Sequence, residues 1–364
     1  MINKQSIYYW FFFPLLALLS AGSLTSCIYD SVLEETDMSG KSTLSITMRG
    51  VTNSPDVDGY DEYIKTLRII VFDASGLVCN QFYNRDVISS WEVKGQSPNT
   101  YYDITQELQN FSGGNCRFYF IANEEGYNIS SNNATTLSTF LNNESLTEDG
   151  LKACIIASTP DDQDWSEKPI LMIANPSAQY IKPGNDIKIA DVELVRCIAK
   201  VQLIVQKDKE IPEDAVVTIS NVSLHGTRPD SYSLLDTKSY FAANSDEYTH
   251  DFTITNSNVG YGIEESPAYS SGMVYFPETL SSNNTTEGVL YFTFTLTYGD
   301  NATEKTYTIA IGDDANDDGV VEDYNIYRNT IYTVTATLQP TTNPEMNIEV
   351  VPWTEVEVDV PPFE

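Results

Sequence analysis

The strongest constraint on this chain is the recurrence of short extended runs, separated by polar turns, over almost its whole length. Thr66 to Asp73 (TLRIIVFD) is apolar on both faces, the pattern of a strand buried in the middle of a sheet. Asp73-Ala-Ser-Gly76 reads as a turn, with Leu77 to Tyr83 as its hairpin partner. Arg117 to Asn123 (RFYFIAN), Pro169 to Asn175 (PILMIAN) and Ile187 to Leu194 continue the pattern. Near residue 190 the pattern begins again. Val192 to Val205 (VELVRCIAKVQLIV) reads as one long strand, interrupted by Arg196 and Lys200. Ala215 to Leu224, Gly272 to Phe276, a hairpin of Gly288 to Tyr298 with Glu304 to Ile311 across GDNA, and Asn329 to Leu338 follow. One helix is expected, where Leu137, Phe140 and Leu141 fall at i, i+3 and i+4. Strands at regular spacing with polar turns argue for β-sandwiches.

The first 27 residues read as a targeting segment. Lys4 is its one charge, Ile7 to Leu19 is almost wholly apolar, and Leu24-Thr25-Ser26-Cys27 follows. The apolar run is shorter than the ~20 residues a bilayer span needs, so it reads as a signal peptide. The quartet resembles a bacterial lipobox, in which the cysteine, here Cys27, carries the lipid and becomes the new amino terminus. Several acyl chains, at about 0.8 kcal/mol per buried CH₂, hold a protein on a membrane that it does not span. The other reading is a plain secretory signal with a chance cysteine.

The full chain carries a net charge of −32; losing Lys4 leaves 19 basic residues against 52 acidic ones, a charge of −33. No basic stripe is available for phosphates, which excludes nucleic acid as a partner. Cys79, Cys116, Cys154 and Cys197 remain after Cys27, with neither CxxC nor zinc spacing. An exported chain permits disulfides, yet each cysteine sits in or beside an apolar run, as a buried thiol does. Both readings stand at this point.

Residues able to carry chemistry are sparse. The two histidines, His225 and His250, lie in polar contexts away from any nucleophile motif, and neither GxSxG nor HExxH occurs. His225, in SLHGTRPD, reads as a turn residue. An enzyme is therefore not expected, and no cofactor is implied. Asp314, Asn316, Asp318 and Gly319 match the first half of a calcium loop, but position 12 is Asn325 where a bidentate acid belongs. An acidic hairpin loop, at most a weak calcium site, is the preferred reading.

Both ends of the β-rich region are amphipathic. Ser42 to Arg49 (STLSITMR) places Leu44, Ile46 and Met48 on one face. In the tail, Val356, Val358 and Val360 alternate with Glu355, Glu357 and Asp359 before a Pro-Pro stop. Either both are ordinary sheet strands, or they are alternative occupants of one groove. Arg49, before Gly50 and a loop rich in Gly, Pro and Asp, is either a protease site or a plain strand-end residue.

Taken in order, the lipobox, TLRIIVFDASG, RFYFIAN, VELVRCIAKVQLIV, YRNTIYTVTATL and the closing VVPW resemble the Bacteroidales fimbrillins, the type V pilus subunits. The resemblance covers most of the chain from Cys27 onward, and its specificity lies in the series of motifs. It implies an all-β protein of two tandem β-sandwich (transthyretin-like, Greek-key) domains with few short helices. With residues 1–27 as signal peptide, the domains fall at 28–190 and 191–364. It further implies a lipoprotein precursor at the outer membrane, from which an arginine-specific protease, cutting here at Arg49–Gly50, removes the strand 42–49. A neighbouring subunit's tail, 347–364 with Val356, Val358 and Val360, would then fill the groove. The loop after the first strand, Val51 to Gly59, holds no arginine, a departure from the family's pattern. An uncut chain would keep its lipid. The expected partners are other fimbrial subunits, the outer membrane and a host or bacterial surface ligand. The competing readings are a non-polymerising, lipid-anchored adhesin or glycan-binding protein, and a fimbrial anchor or tip subunit.

Overall fold

The computed structural model describes residues 42–49, 63–90, 92–94, 101–108, 114–130, 135–157, 169–174, 178–182, 187–235, 246–280, 289–298, 303–312, 323–340 and 344–352. The protein is all-β, a sandwich of mainly antiparallel sheets with few short helices. The first sheet contains β1 (Ser42–Arg49), β4 (Glu92–Lys94), β5 (Tyr101–Leu108) and β10 (Ile187–Glu193), in the order β10-β1-β5-β4. The second contains β2 (Leu67–Asp73), β3 (Gly76–Tyr83), β6 (Gly114–Ala122), β8 (Met172–Ala174) and β11 (Val195–Arg196), in the order β11-β8-β6-β2-β3, with β9 (Gln179–Ile181) also on β6.

The third sheet is built from β12 (Ile198–Lys207), β16 (Tyr269–Ser270), β20 (Thr330–Leu338) and β21 (Pro344–Pro352), in the order β16-β12-β20-β21, with β17 (Val274–Pro277) also on β12. The fourth runs β15 (Asp246–Asp251), β13 (Val217–Arg228), β18 (Tyr291–Tyr298), β19 (Thr303–Ala310). A two-stranded ribbon joins β7 (Ile155–Ala157) to β14 (Ser231–Ser233). Among the described strands, this ribbon is the one sheet that pairs residues from before and after Cys197.

Packing follows from the sequence pattern. In β2 the side chains alternate between two cores. Ile69 and Val71 join Phe118, Phe120, Val192 and Leu194, while Ile70 and Phe72 join Tyr119, Ile121, Leu137, Leu141 and Ile156. The second sheet is thus covered on both faces, which explains its unbroken apolar runs. One cover is helical, formed by α2 (Leu137–Leu141) and α3 (Glu148–Lys152). The expected helix over Leu137, Phe140 and Leu141 is present. Its start is fixed by Thr136, whose side chain accepts from the Thr139 amide at 3.1 Å. The shorter α1 (Arg85–Ile88) starts in the same way on Asn84. The third and fourth sheets face each other across one core of Val201, Leu203, Val334 and Ala336 against Ile219, Leu224, Phe292 and Phe294. Their strands alternate buried with part-buried residues, as strands with one wet face do.

The expected hairpins form. At the first, the Asp73 carboxylate accepts from the Ser75 amide at 2.7 Å, the Ser75 hydroxyl at 2.6 Å and the Gly76 amide at 3.1 Å, while Gly76 takes φ +128°. Two expectations need correction. Val192 to Val205 is not one strand: it ends β10, supplies β11 and begins β12, and so passes through three sheets. Nor is His225 a turn residue, since it lies within β13, opposite Thr249 and Tyr291.

Candidate functional site

The strand that the sequence singled out, β1, lies inside its sheet. All eight of its residues face β5 in antiparallel register, from Ser42 opposite Leu108 to Arg49 opposite Tyr101. Its other edge runs parallel to β10, Leu44 opposite Ile187 and Arg49 opposite Glu193, with a register shift between Ile46 and Met48. Two consequences follow. Among the described residues, β10 has no sheet neighbour other than β1, and β5 has only the three-residue β4 on its far side. Removing β1 would leave a slot of eight residues bounded by two unpaired edges. Arg49 ends both ladders; Gly50 lies outside the described residues.

The other candidate, the tail, divides in two. Pro344–Pro352 forms β21, paired at all nine positions with β20, from Pro344 opposite Leu338 to Pro352 opposite Thr330. The alternating stretch with Val356, Val358 and Val360 lies outside the described residues, as do Cys27 and the Asp314–Asp318 loop. Among the described residues no group of three or more His, Cys, Asp or Glu side chains is placed to hold a metal ion.

The second sheet is tied together by a buried charge in β2, where the sequence led one to expect an inaccessible arginine. Arg68, 2 % exposed, makes a two-pronged pair with Glu124, Nε to Oε2 and Nη2 to Oε1, both 2.7 Å. Its remaining donors reach Asn80 at 2.7 Å and Asn142 at 2.9 Å. One guanidinium therefore ties β2, β3, the end of β6 and the end of α2. Beside it, Asn123 closes the RFYFIAN run with φ +63°. Its side-chain Oδ1 accepts from the Lys65 and Thr66 amides, and its side-chain Nδ2 donates to the Tyr63 and Ile170 carbonyls.

A second knot joins the middle of the chain to its end. Arg328 donates to Glu278 Oε2 from Nε at 2.9 Å and from Nη2 at 2.6 Å, and to the carbonyls of Ser233 at 2.7 Å and Leu234 at 3.0 Å. Next to it, Asn329 accepts from Arg196 Nη1 at 3.1 Å, so the VELVRCIAKVQLIV and YRNTIYTVTATL runs meet here. The visible signal was a charged residue inside an apolar run. Its partners are distant in sequence and gave none.

Electrostatics elsewhere are structural. Burial pushes Glu148 upward, but hydrogen bonds from Arg117, Lys152 and Tyr119 outweigh it and leave the carboxyl at about 2. The four described cysteines are free thiols, and burial pushes Cys79 and Cys116 up to about 11 and Cys154 and Cys197 to about 12. At neutral pH they stay protonated and unreactive. His225 stacks on Tyr291, ring centres 5.2 Å apart, and its two nitrogens face the Thr249 and Thr293 hydroxyls.

Comparison with known proteins bears on this arrangement. Residues 42–186 match the family model described as Major fimbrial subunit protein (FimA). Among solved structures, the tip fimbrial protein Mfa3 of Porphyromonas gingivalis, with C-terminal truncation, is 15 % identical with a TM-score of 0.54, covering 86 % of this chain and 100 % of that one. A cell adhesion protein of Bacteroides eggerthii is 17 % identical, TM-score 0.51, covering 86 % and 96 %. The FimA fimbrilin of P. gingivalis is 12 % identical, TM-score 0.51, covering 87 % and 98 %. At these identities the structural likeness is one of fold. No curated protein matches the chain in sequence.

Proposed function

We propose that this chain is a fimbrillin, a structural subunit of a cell-surface fimbria exported as a lipoprotein through Cys27 and assembled by strand exchange; the match of residues 42–186 to the fimbrial subunit family supports this reading. The observation that carries this reading is the position of β1, hydrogen-bonded on both edges inside its sheet. A cut after Arg49 would free that strand from the rest of the chain. The slot between β10 and β5 would then take an incoming strand by β-augmentation. Main-chain ladder bonds contribute about 0.5–1.5 kcal/mol each. Val356, Val358 and Val360 of a neighbour's tail would add about 1.5–3 kcal/mol each on burial. Glu355, Glu357 and Asp359 on the other face discourage unspecific edge pairing of the free tail. In this reading the chain divides into two sandwiches near Cys197, where strand pairing passes from the second sheet to the third.

A second reading has its own support. Arg49 is held in register on both edges rather than displayed in a loop, and β21 occupies its own sheet. Both favour an uncut, lipid-anchored subunit at the base or tip of a fibre, or an anchored adhesin. The amino terminus of the protein on the cell surface separates the two: Gly50 marks a polymerising subunit, lipidated Cys27 an anchored one. For the first reading, Val358→Asp should yield a folded monomer that does not extend a fibre, because it sets an unpaired charge against an apolar slot at about 2 kcal/mol or more. Glu357→Gln should assemble normally. Size-exclusion chromatography after trypsin treatment reads both variants, and a trypsin-treated wild type that stays monomeric would exclude polymerisation.

A further inference from the structure

Buried cations in this chain meet a buried carboxylate in two clear cases, Arg68 with Glu124 and Arg328 with Glu278. Lys207 does not. It is the last residue of β12 and only 7 % exposed, so it is more than nine-tenths buried. Its ammonium donates one hydrogen bond, to the Ala215 carbonyl at 3.3 Å, and lies 4.3 Å from the centre of the Tyr261 ring. No carboxylate among the described residues pairs with it. An ammonium has three donors, and a buried charge is held stably when it is paired and fully hydrogen-bonded.

Lys207 lines a cleft of about 380 Å³ at the end of the carboxyl-terminal sheets where β12 stops and β13 begins. The base of the cleft is buried and the rim is exposed, carrying Glu213, Asn256, Asn258 and Glu265. The wall is tightly built: a Cβ at Gly260 would come within 2.4 Å of the Ser266 and Pro267 carbonyl oxygens. The geometry points to a site for a basic α-amino acid unit, its carboxylate on Lys207 and its cationic end toward Glu213 and Glu265. The unit is either a free amino acid or the last residue of a peptide.

The charges select this class. A phosphate or other simple anion would satisfy Lys207 but face the two glutamates of the rim, on a chain of net charge −32. A neutral sugar would leave the buried ammonium without a counter-charge, and a simple amine would do so too. A free basic amino acid presents one carboxylate and two cationic groups, and the basic last residue of a peptide one carboxylate and one cationic side chain, to one ammonium and two carboxylates. Asn256 and Asn258 offer carboxamides for the remaining polar atoms.

Isothermal titration of the full-length chain tests this with four probes: L-arginine, the peptide Gly-Gly-Arg, arginine amide and inorganic phosphate. Saturable binding is expected for L-arginine, for Gly-Gly-Arg or for both. Binding of the peptide alone assigns the site to a chain terminus, and of the amino acid alone to the free molecule. Arginine amide, which lacks the carboxylate, should bind at least about tenfold more weakly. Lys207→Met, which keeps most of the stem, should lose binding by a similar factor. The exposed pair Glu213→Gln with Glu265→Gln should weaken arginine severalfold while leaving the melting temperature unchanged, and so gives a readout even where Lys207→Met does not fold. Absence of saturable heat with both arginine probes overturns the assignment. So does phosphate binding more tightly than arginine, or a rim variant that binds as wild type.

Discussion

The two terminal strands of the described protein, β1 and β21, are placed in opposite ways. β1 is an interior strand with a neighbour on each edge, and among the described residues β10 pairs with it alone. β21 is an edge strand with nine paired residues on one side and β20 beyond it, itself held by β12. Losing the first would open a sheet from within, whereas losing the second would trim its border. An interior position near the amino terminus is what an exchangeable strand requires, because its departure leaves two edges to recapture a substitute. The edge position of β21 means that residues up to Pro352 stay in their own sheet.

The largest expected effect tests this contrast directly. A chain lacking residues 42–49 should lose amide protection across 101–108 and 187–193, the two strands that flank β1. A chain ending at Leu338 should lose protection only across 330–338, and by less. Hydrogen exchange with mass spectrometry compares the two, and equal losses at both ends would remove the distinction on which the strand-exchange reading rests.

Next in size is Glu278→Gln. It leaves the Arg328 guanidinium buried without its counter-charge, at about 3–5 kcal/mol. Because Arg328 and Asn329 immediately precede β20, the loss of protection should concentrate in β20 and β21 and spare the first sheet. Glu124→Gln should do the reverse, loosening the second sheet around Arg68. Thermal melting with exchange read by peptide separates the two, and a uniform loss in both variants would show a single cooperative unit.

The smallest effect concerns acid. Glu148, at about 2, lies below the ordinary carboxylate value of 4.5, so its contribution is present above that value and is lost as pH falls from about 4.5 to about 2. The contribution is about 2 kcal/mol after allowance for partial exposure. Glu148→Gln should therefore lower the melting temperature at pH 7 and converge with wild type near pH 2. The change should appear on the helical side of the second sheet and leave β21 untouched. A constant gap between the two proteins across that range would assign the effect to something other than charge.

Much of the fold was legible. The Asp73–Gly76 and GDNA hairpins, the helix at Leu137 and the buried run at Leu67–Asp73 stand where period and turn chemistry put them. The failures have physical causes. Val192 to Val205 is extended throughout, and period two shows extension without showing the partner, so passage between three sheets left no mark in the residues. His225-Gly226 looked like a turn because glycine is a turn residue. Here Gly226 serves a strand instead, with φ +148° and room for no Cβ, which would lie 2.7 Å from the Val289 carbonyl oxygen.

The candidate site was legible only as a pair of amphipathic ends. Alternation over Ser42–Arg49 and over Val356–Val360 is local, written residue by residue; it predicted two extended segments, of which the first is β1 and the second lies outside the described residues. The family resemblance was local in the same sense, a series of short runs in order. Interior against edge is a property of neighbours: β1 lies between β10 and β5, from residues 187–193 and 101–108, and that pairing is decided by which backbones the tertiary fold brings alongside. The same holds for the buried charges. The sequence placed Arg68 in an apolar strand, but its carboxylate partner lies 56 positions away and that of Arg328 lies 50 away, while Lys207 meets none among the described residues. Long-range pairing arises from packing rather than pattern, so the tertiary structure alone determined which strand is interior and which buried cation meets no carboxylate among the described residues.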